Sequence, residues 1–319
     1  MSGLGLSVQR TDPALLDAIA VRHRRIGLDG LLRGEAGGAR RGRWTRVPAR
    51  AATAGFRWDR RDGRDRVWWP QGIDLRSVDG VRIVAVSWYA QPRTAAAAGS
   101  RISFVQLRPG GEPRYWHVAL VVPVAEAGGV SLRPVTAHAG GIAWDGDLLY
   151  VASTLHGLRV FDVGDIFVTR GDARAVLPQR ERWAADEADA DRLRFSFVSL
   201  DRSREPGSLL AGEYLRDDPA GRLVSLRLDD AEAAISHGPG LVRMQGATVV
   251  DDRWFVTTSE GIRTRGDLWV GGPTDLTRHR GVLPPGPEDI AHEPGTRILW
   301  SLSEHPGRRW VFAIDADAW

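Results

Sequence analysis

Ala139-Gly140-Gly141-Ile142-Ala143-Trp144-Asp145-Gly146-Asp147, continued by Leu148 to Thr154 and by Gly157-Leu158-Arg159-Val160-Phe161-Asp162-Val163, is the stretch that decides the fold. A pair of small residues leads into a short apolar run. A tight Asp/Gly turn follows, then two β-rich runs separated by a second turn. Asp and Gly between alternating apolar segments read as hairpins of short antiparallel strands.

The same grammar recurs four more times. It appears at Pro70-Gln71-Gly72-Ile73, followed by Arg82 to Trp88 and Arg101 to Val105. It returns at Phe195-Ser196-Phe197-Val198, with Ser208 to Leu215 and Arg222 to Leu228, and at Met244-Gln245-Gly246-Ala247, with Arg253 to Ser259 and Gly266 to Val270. The last copy is Pro287-Glu288-Asp289-Ile290, with Arg297 to Ser303 and Arg308 to Asp315. Many short strands with turn signals suggest a sandwich, a barrel or a propeller, and internal repetition selects the propeller. The expectation is an all-β fold: a five-bladed β-propeller over residues 43–319, preceded by a helical or irregular extension over 1–42. Thr11-Asp12-Pro13 starts a helix carrying Leu15 and Ile19, and Gly27, Gly30 and Gly34 end it. Tyr115 to Val124 and Arg278 to Leu283 can supply outer strands. The last unit runs out at Trp319, so ring closure calls for an N-terminal strand from Arg43 to Val47 or Gly55 to Asp59. Residues 164–193, rich in Asp, Glu, Ala and Arg, read as a surface excursion.

The Gly146 to Ser153 and Gly157 to Val163 segments resemble a blade of the LVIVD-type propeller repeat, and the whole chain resembles actinobacterial five-bladed propellers. The resemblance implies the fold and carries no function. Five-bladed glycosidases resemble the chain in architecture, but their pattern of acids on several inner strands has no match here.

Composition narrows the classes. All 43 basic residues are Arg, there is no Lys or Asn, and the net charge is only +3. The sequence pI of about 9.9 therefore reflects Arg titrating above the usual range rather than a basic surface. Acids such as Asp59, Asp62 and Asp65 interrupt the basic runs at 40–43 and 60–61, which argues against nucleic acid as partner. The absence of Cys excludes disulfides and thiolate chemistry. The first thirty residues lack an apolar stretch, so neither a membrane anchor nor a signal peptide is read there; the expected location is cytoplasmic, or secreted if a signal has been removed.

Aligned inner strands place Ile73, Ile142, Phe197, Ala247 and Ile290 on one face, as the apolar layer between blades. The other face carries Gly72, Gly141, Ser196, Gly246 and Asp289, and one step on, Asp74. Asp74 and Asp289 thus point into the channel from adjacent blades. Gln71, His138, Gln245 and Glu288 stand where the inner strands begin, with Trp69 and Met244 flanking. Acids, amides and one His on a concave axis suggest a ligand site. Candidate catalytic groups are Asp74, Asp289, Glu288 and His138; candidate ligand-binding groups are Gln71, Gln245, Trp69 and Trp68, whose rings could stack on a sugar or face a cation. No cofactor and no resident metal is expected, although His138, Glu288 and Asp289 could hold a divalent ion. Asp251-Asp252 and Asp145-Gly146-Asp147 read as turns. His156, His279 and His305 read as surface residues, and His117 beside Trp116 as a packing residue. The expected function is binding of a small polar organic ligand at the channel mouth, with acid–base catalysis of hydrolase, lyase or cyclase type. The alternative is a non-catalytic scaffold for a protein or glycan partner.

Overall fold

The computed structural model describes residues 6–91, 98–185, 191–203, 207–229 and 234–319. Within these residues the strands fall into five antiparallel meanders. The first runs Trp68–Val78, Val81–Ala90, Ser100–Leu107 and Arg114–Glu126. The second runs Ile142–Asp145, Leu148–Ala152, Leu158–Asp162 and Ala175–Ala185. The third begins with Phe197–Asp201, the fourth with Met244–Val250, and both have four strands. The fifth runs Pro287–His292, Ile298–Ser303 and Trp310–Asp315, and takes its fourth strand, Ala52–Arg57, from the N-terminal region.

The first strands of the meanders pack one against the next, and the last against the first, so that they close a ring. The fold is a β-propeller. The hydrophobic interior follows this plan: instead of one central core, an apolar layer fills each gap between adjacent sheets. Ile73 lies between the first and fifth sheets, Ile142 between the first and second, Ala247 between the third and fourth, and Ile290 between the fourth and fifth, each facing the preceding sheet. In the third meander Val198 holds that place, and Phe197, expected there, faces the fourth sheet instead. Small residues at the axis are a steric requirement. A Cβ on Gly141 would lie 2.1 Å from the Val198 nitrogen, and one on Gly246 would lie 2.6 Å from the Asp289 Cα.

Ring closure uses the predicted N-terminal strand: Phe56 pairs with Val311 and Arg57 with Trp310, while Arg43–Trp44 adds a short fifth rung outside it. The Asp251-Asp252 hairpin has both residues at positive φ, 47° and 62°, a conformation Asp tolerates in tight turns.

Three expectations are corrected. The 164–193 segment is no simple excursion, because Ala175–Ala185 is the outer strand of the second meander, and it also pairs in parallel with the first through Val176 to Pro178. Its residues 186–190 lie outside the described ones. Gly27 does not end helical structure: at φ +60° it opens a second helix, Gly27–Leu32, which contains Gly30, packs into the apolar layer through Leu28 and Leu31, and is followed by Gly34 at φ +88° in the turn past its end. The N-terminal region also contributes a strand, Leu6–Arg10, on the edge of Ala175–Ala185. The predicted helix forms at Pro13–Arg22, with Asp12 accepting from the Ala14 N–H, and buries Leu16 and Ile19. No helix among the described residues is long and apolar enough to cross a membrane.

Candidate functional site

All five inner strands begin at one end of the ring, and three of them begin with a bulge. Register shifts fall between Pro70 and Ile73, between Met244 and Gly246, and between Pro287 and Ile290. A bulge suspends ladder pairing and re-aims the extra side chain. Gln71, Gln245 and Glu288 occupy these bulges; Gly140 and Ser196 hold the matching places two residues ahead of Ile142 and Val198, one step from where the sequence alignment put Ser196. The second strands finish at the same end and deliver Tyr89, Thr154, Tyr214 and Glu304. With His138 and Arg194 from the entering segments, these residues line a cavity of about 400 Å³. That lies within the range of roughly 300–1,000 Å³ common for small-molecule sites. Two residues at its edge hold backbone conformations rare for their types, Ala139 at φ 52° and Thr154 at φ 30°.

The chemistry of the cavity centres on two carboxyl groups. Glu288 and Glu304 face each other within hydrogen-bonding reach, so one carboxyl has to carry the proton between them. Burial, and next the neighbouring Glu304, push Glu288 well above the usual carboxyl range. Burial pushes Glu304 up to about 7, against the opposing pull of Gln71 and Arg309. Gln71 Nε2 donates to Glu304 Oε2 at 2.9 Å and to the Pro70 carbonyl at 2.9 Å, which fixes the Gln71 amide and the orientation of Glu304. His138 turns its ring into the cavity and against Tyr89, at 4.1 Å between centroids. The residue is otherwise exposed to solvent at the rim, where its ring nitrogens are open to a ligand.

Asp74 and Asp289 have no exposed surface, and neither lines the cavity. Asp289 Oδ2 accepts from the N–H groups of Ile73 (3.1 Å) and Ile142 (3.4 Å), and its Oδ1 from its neighbour Ile290 (3.0 Å). One carboxyl group thereby ties three inner strands together. Asp74 accepts from the backbone of Trp144 at 2.6 Å and Leu75 at 2.7 Å, and Arg202 Nη2 reaches it at 2.9 Å. Burial raises the pKa of both acids, offset at Asp74 by Arg202 and at Asp289 by the backbone donors.

The two tryptophans lie outside the cavity lining. Arg101 stands 4.4 Å over the Trp68 ring, so that face is covered. Trp69 meets His305 edge-on at 5.7 Å, and Arg309 lies over it at 5.7 Å. His305 itself is buried at 8% exposure, which corrects its reading as a surface residue; Trp69 covers it. Met244 is fully buried in the apolar layer between the third and fourth sheets.

One arrangement imitates a hydrolytic triad. Ser103 Oγ meets His117 Nδ1 at 2.8 Å, and His117 Nε2 meets Asp62 Oδ2 at 2.9 Å. Ser103 has no exposed surface, however, and Asp62 also binds Tyr115 at 2.7 Å, Arg40 at 3.1 Å and Arg101 at 3.2 Å. The network anchors the short helix Arg60–Arg64 on the first meander, with His117 half-buried in it.

No family model and no curated protein matches the chain. Among solved structures it is similar to a GH43_1 enzyme from Xanthomonas citri, at 12% identity and TM-score 0.45, over 83% of this chain and 90% of that one. It is similar to a gluconolactonase from Xanthomonas campestris, at 11% identity and TM-score 0.41, over 86% and 95%. It is also similar to a chain of a nidogen/laminin complex, at 13% identity and TM-score 0.43, over 88% and 90%. These propeller-type neighbours include hydrolases, but at such identities and scores they carry no argument about chemistry.

Sequence reasoning placed Gln71, His138, Gln245 and Glu288 at this mouth, and missed Glu304, Tyr89, Tyr214 and Arg194. Glu304 stands one residue past the second strand of its meander, as Tyr89 stands at the end of the equivalent strand. Aligning the ends of second strands, as the starts of first strands were aligned, is the signal that finds them.

Proposed function

We propose that this chain, read as a propeller of five blades, binds one small polar organic molecule in the mouth cavity and acts on it by acid–base catalysis through Glu288 and Glu304. The observation that supports this most is the carboxyl pair inside a lined cavity. Glu288 is buried and Glu304 largely so; two such acids in contact cannot both ionise easily, so they share a proton near neutral pH. Glu288, held well above the usual carboxyl range, serves as general acid. Glu304, with a pKa near 7, gains and loses a proton at little cost and serves as base. Gln71 positions Glu304. Gln245 and His138 offer hydrogen bonds that orient the ligand. Asp74 and Asp289 hold the ring together beneath the site, and Trp69 backs it through His305. Hydrolysis, elimination and cyclisation are the reaction classes such a pair serves.

The test is thermal melting of wild type, Glu288→Gln and Glu304→Gln against sugars, lactones, organic acids and nucleotides, followed by turnover of any stabilising compound. The expected result is a compound that raises the melting temperature and is converted by the wild type, with turnover reduced about 100-fold or more in either variant. Equal stabilisation and equal turnover in all three proteins contradicts the assignment, and so does a panel that stabilises none.

A further inference from the structure

The acid–base reading leaves one charge in the cavity unused. Arg194 lines the cavity from the segment entering the third inner strand. It stands two places round the ring from Glu288 and Glu304, across the mouth. Its backbone N–H donates to Glu213 at 2.9 Å, but that carboxylate is already gripped by Arg222, through Nε at 2.9 Å and Nη2 at 3.0 Å. Among the described residues no carboxylate pairs with the Arg194 guanidinium. The contrast with the next meander is informative. Arg243 occupies the comparable position ahead of the fourth inner strand, and it is paired with Asp217 at 3.0 Å and Glu260 at 3.2 Å.

An arginine left without a partner at the edge of a cavity is a fixed positive charge with a planar fork of donors. Carboxylates match that fork in two parallel hydrogen bonds. The opposite wall opposes that charge only weakly, because burial favours the protonated form of both Glu288 and Glu304. The wall between them is built from hydroxyl and amide groups, at Thr154, Ser196, Tyr214 and Gln245. Such a wall favours a ligand with hydroxyl groups of its own. The volume of about 400 Å³ suits one molecule of monosaccharide size.

We propose that the ligand is a small hydroxylated organic acid whose carboxylate docks on Arg194 and whose opposite end reaches Glu288 and Glu304. This rests on the acid–base reading of the same cavity and adds the substrate class to it.

The experiment is calorimetric titration at pH 7 with matched pairs differing only in the carboxylate: glycerate and glycerol, threonate and threitol, glucuronate and glucose. Glucose 6-phosphate is the phosphate arm, and each probe is titrated into wild type, Arg194→Gln, Arg194→Lys and Glu304→Gln. At least one acid is expected to bind about tenfold tighter than its neutral partner. That preference disappears in Arg194→Gln and returns in part in Arg194→Lys, while Glu304→Gln weakens acid and neutral partner alike. A neutral partner that binds as well as its acid, unaffected by Arg194→Gln but weakened by Glu304→Gln, overturns the organic-acid assignment and leaves the acid–base site standing. Tighter binding of glucose 6-phosphate than of any acid also overturns it, in favour of a phosphate. Binding insensitive to both residues, or no binding at all, overturns both readings.

Discussion

Glu288 and Asp289 are neighbours in sequence and have different surroundings because a bulge separates them. The shift between Pro287 and Ile290 turns Glu288 into the cavity and leaves Asp289 buried against three backbone N–H groups. Removing the Asp289 carboxyl strands those donors in the interior. Asp289→Ala is expected to lower stability by about 3 kcal/mol or more, and Asp289→Asn by less, since the amide oxygen still accepts; urea unfolding measures both. At Glu304 the prediction concerns pH. Its folded pKa of about 7 stands above the ordinary 4.5, so the folded state binds the proton more tightly than the unfolded chain. Its contribution to stability is complete below about pH 4.5 and is lost as pH rises through about 7. The melting temperature of the wild type should therefore fall more between pH 5 and pH 8 than that of Glu304→Gln. Parallel curves would contradict the raised pKa. At this scale the sequence disclosed the residues that precede inner strands, since their spacing from Ile73, Ile142 and Ile290 is regular. It could not disclose that Asp289 would find three backbone donors, or that Trp68 would be covered by Arg101, because both depend on segments distant in the chain.

At the scale of strands, crowding at the axis is the governing constraint. The Cβ of Gly141→Ala would have to displace the backbone at Val198, so this variant should lose about 3 kcal/mol, the upper end of ordinary overpacking. Gly146→Ala, in an open turn with nothing near its missing Cβ, should lose only the smaller cost of its φ of +52°. Equal losses in the two variants would refute the crowding argument. The inner strands were legible because small and apolar residues alternate along them with period two. The strand Ala175–Ala185 was not, since Pro178 and the run Gln179-Arg180-Glu181-Arg182 carry the composition of a loop. It forms a strand because it lies on two edges in turn: Val176 to Pro178 beside the first meander, then Glu181 and its neighbours against the second. Partner-switching of this kind leaves no periodic trace.

At the scale of the whole molecule, the ring is shut by a strand more than 250 positions away from its partner, as in the pairing of Phe56 with Val311. Without Ala52–Arg57 the strand Trp310–Asp315 becomes a bare edge beside an exposed apolar layer. A chain starting at residue 59 is expected to aggregate, whereas one lacking only residues 1–10, whose strand is largely exposed, should stay folded with a slightly lower melting temperature. Size-exclusion chromatography and circular dichroism distinguish these outcomes. The missing outer strand of the last unit made this closure readable in the sequence, down to the Gly55 region. The ring in turn gathers Glu288 and Glu304 with Gln71, two strands of one sheet and one of the next, into a single site.

The central claim is that this site holds a proton-sharing carboxyl pair. Carbon-13 NMR of the protein labelled at glutamate side-chain carboxyls, followed from pH 4 to pH 9 in wild type, Glu288→Gln and Glu304→Gln, tests it directly. One glutamate is expected to titrate near pH 7 in the wild type, to vanish in Glu304→Gln and to shift in Glu288→Gln. Carboxyls that all titrate near 4.5, unchanged by either substitution, would contradict it.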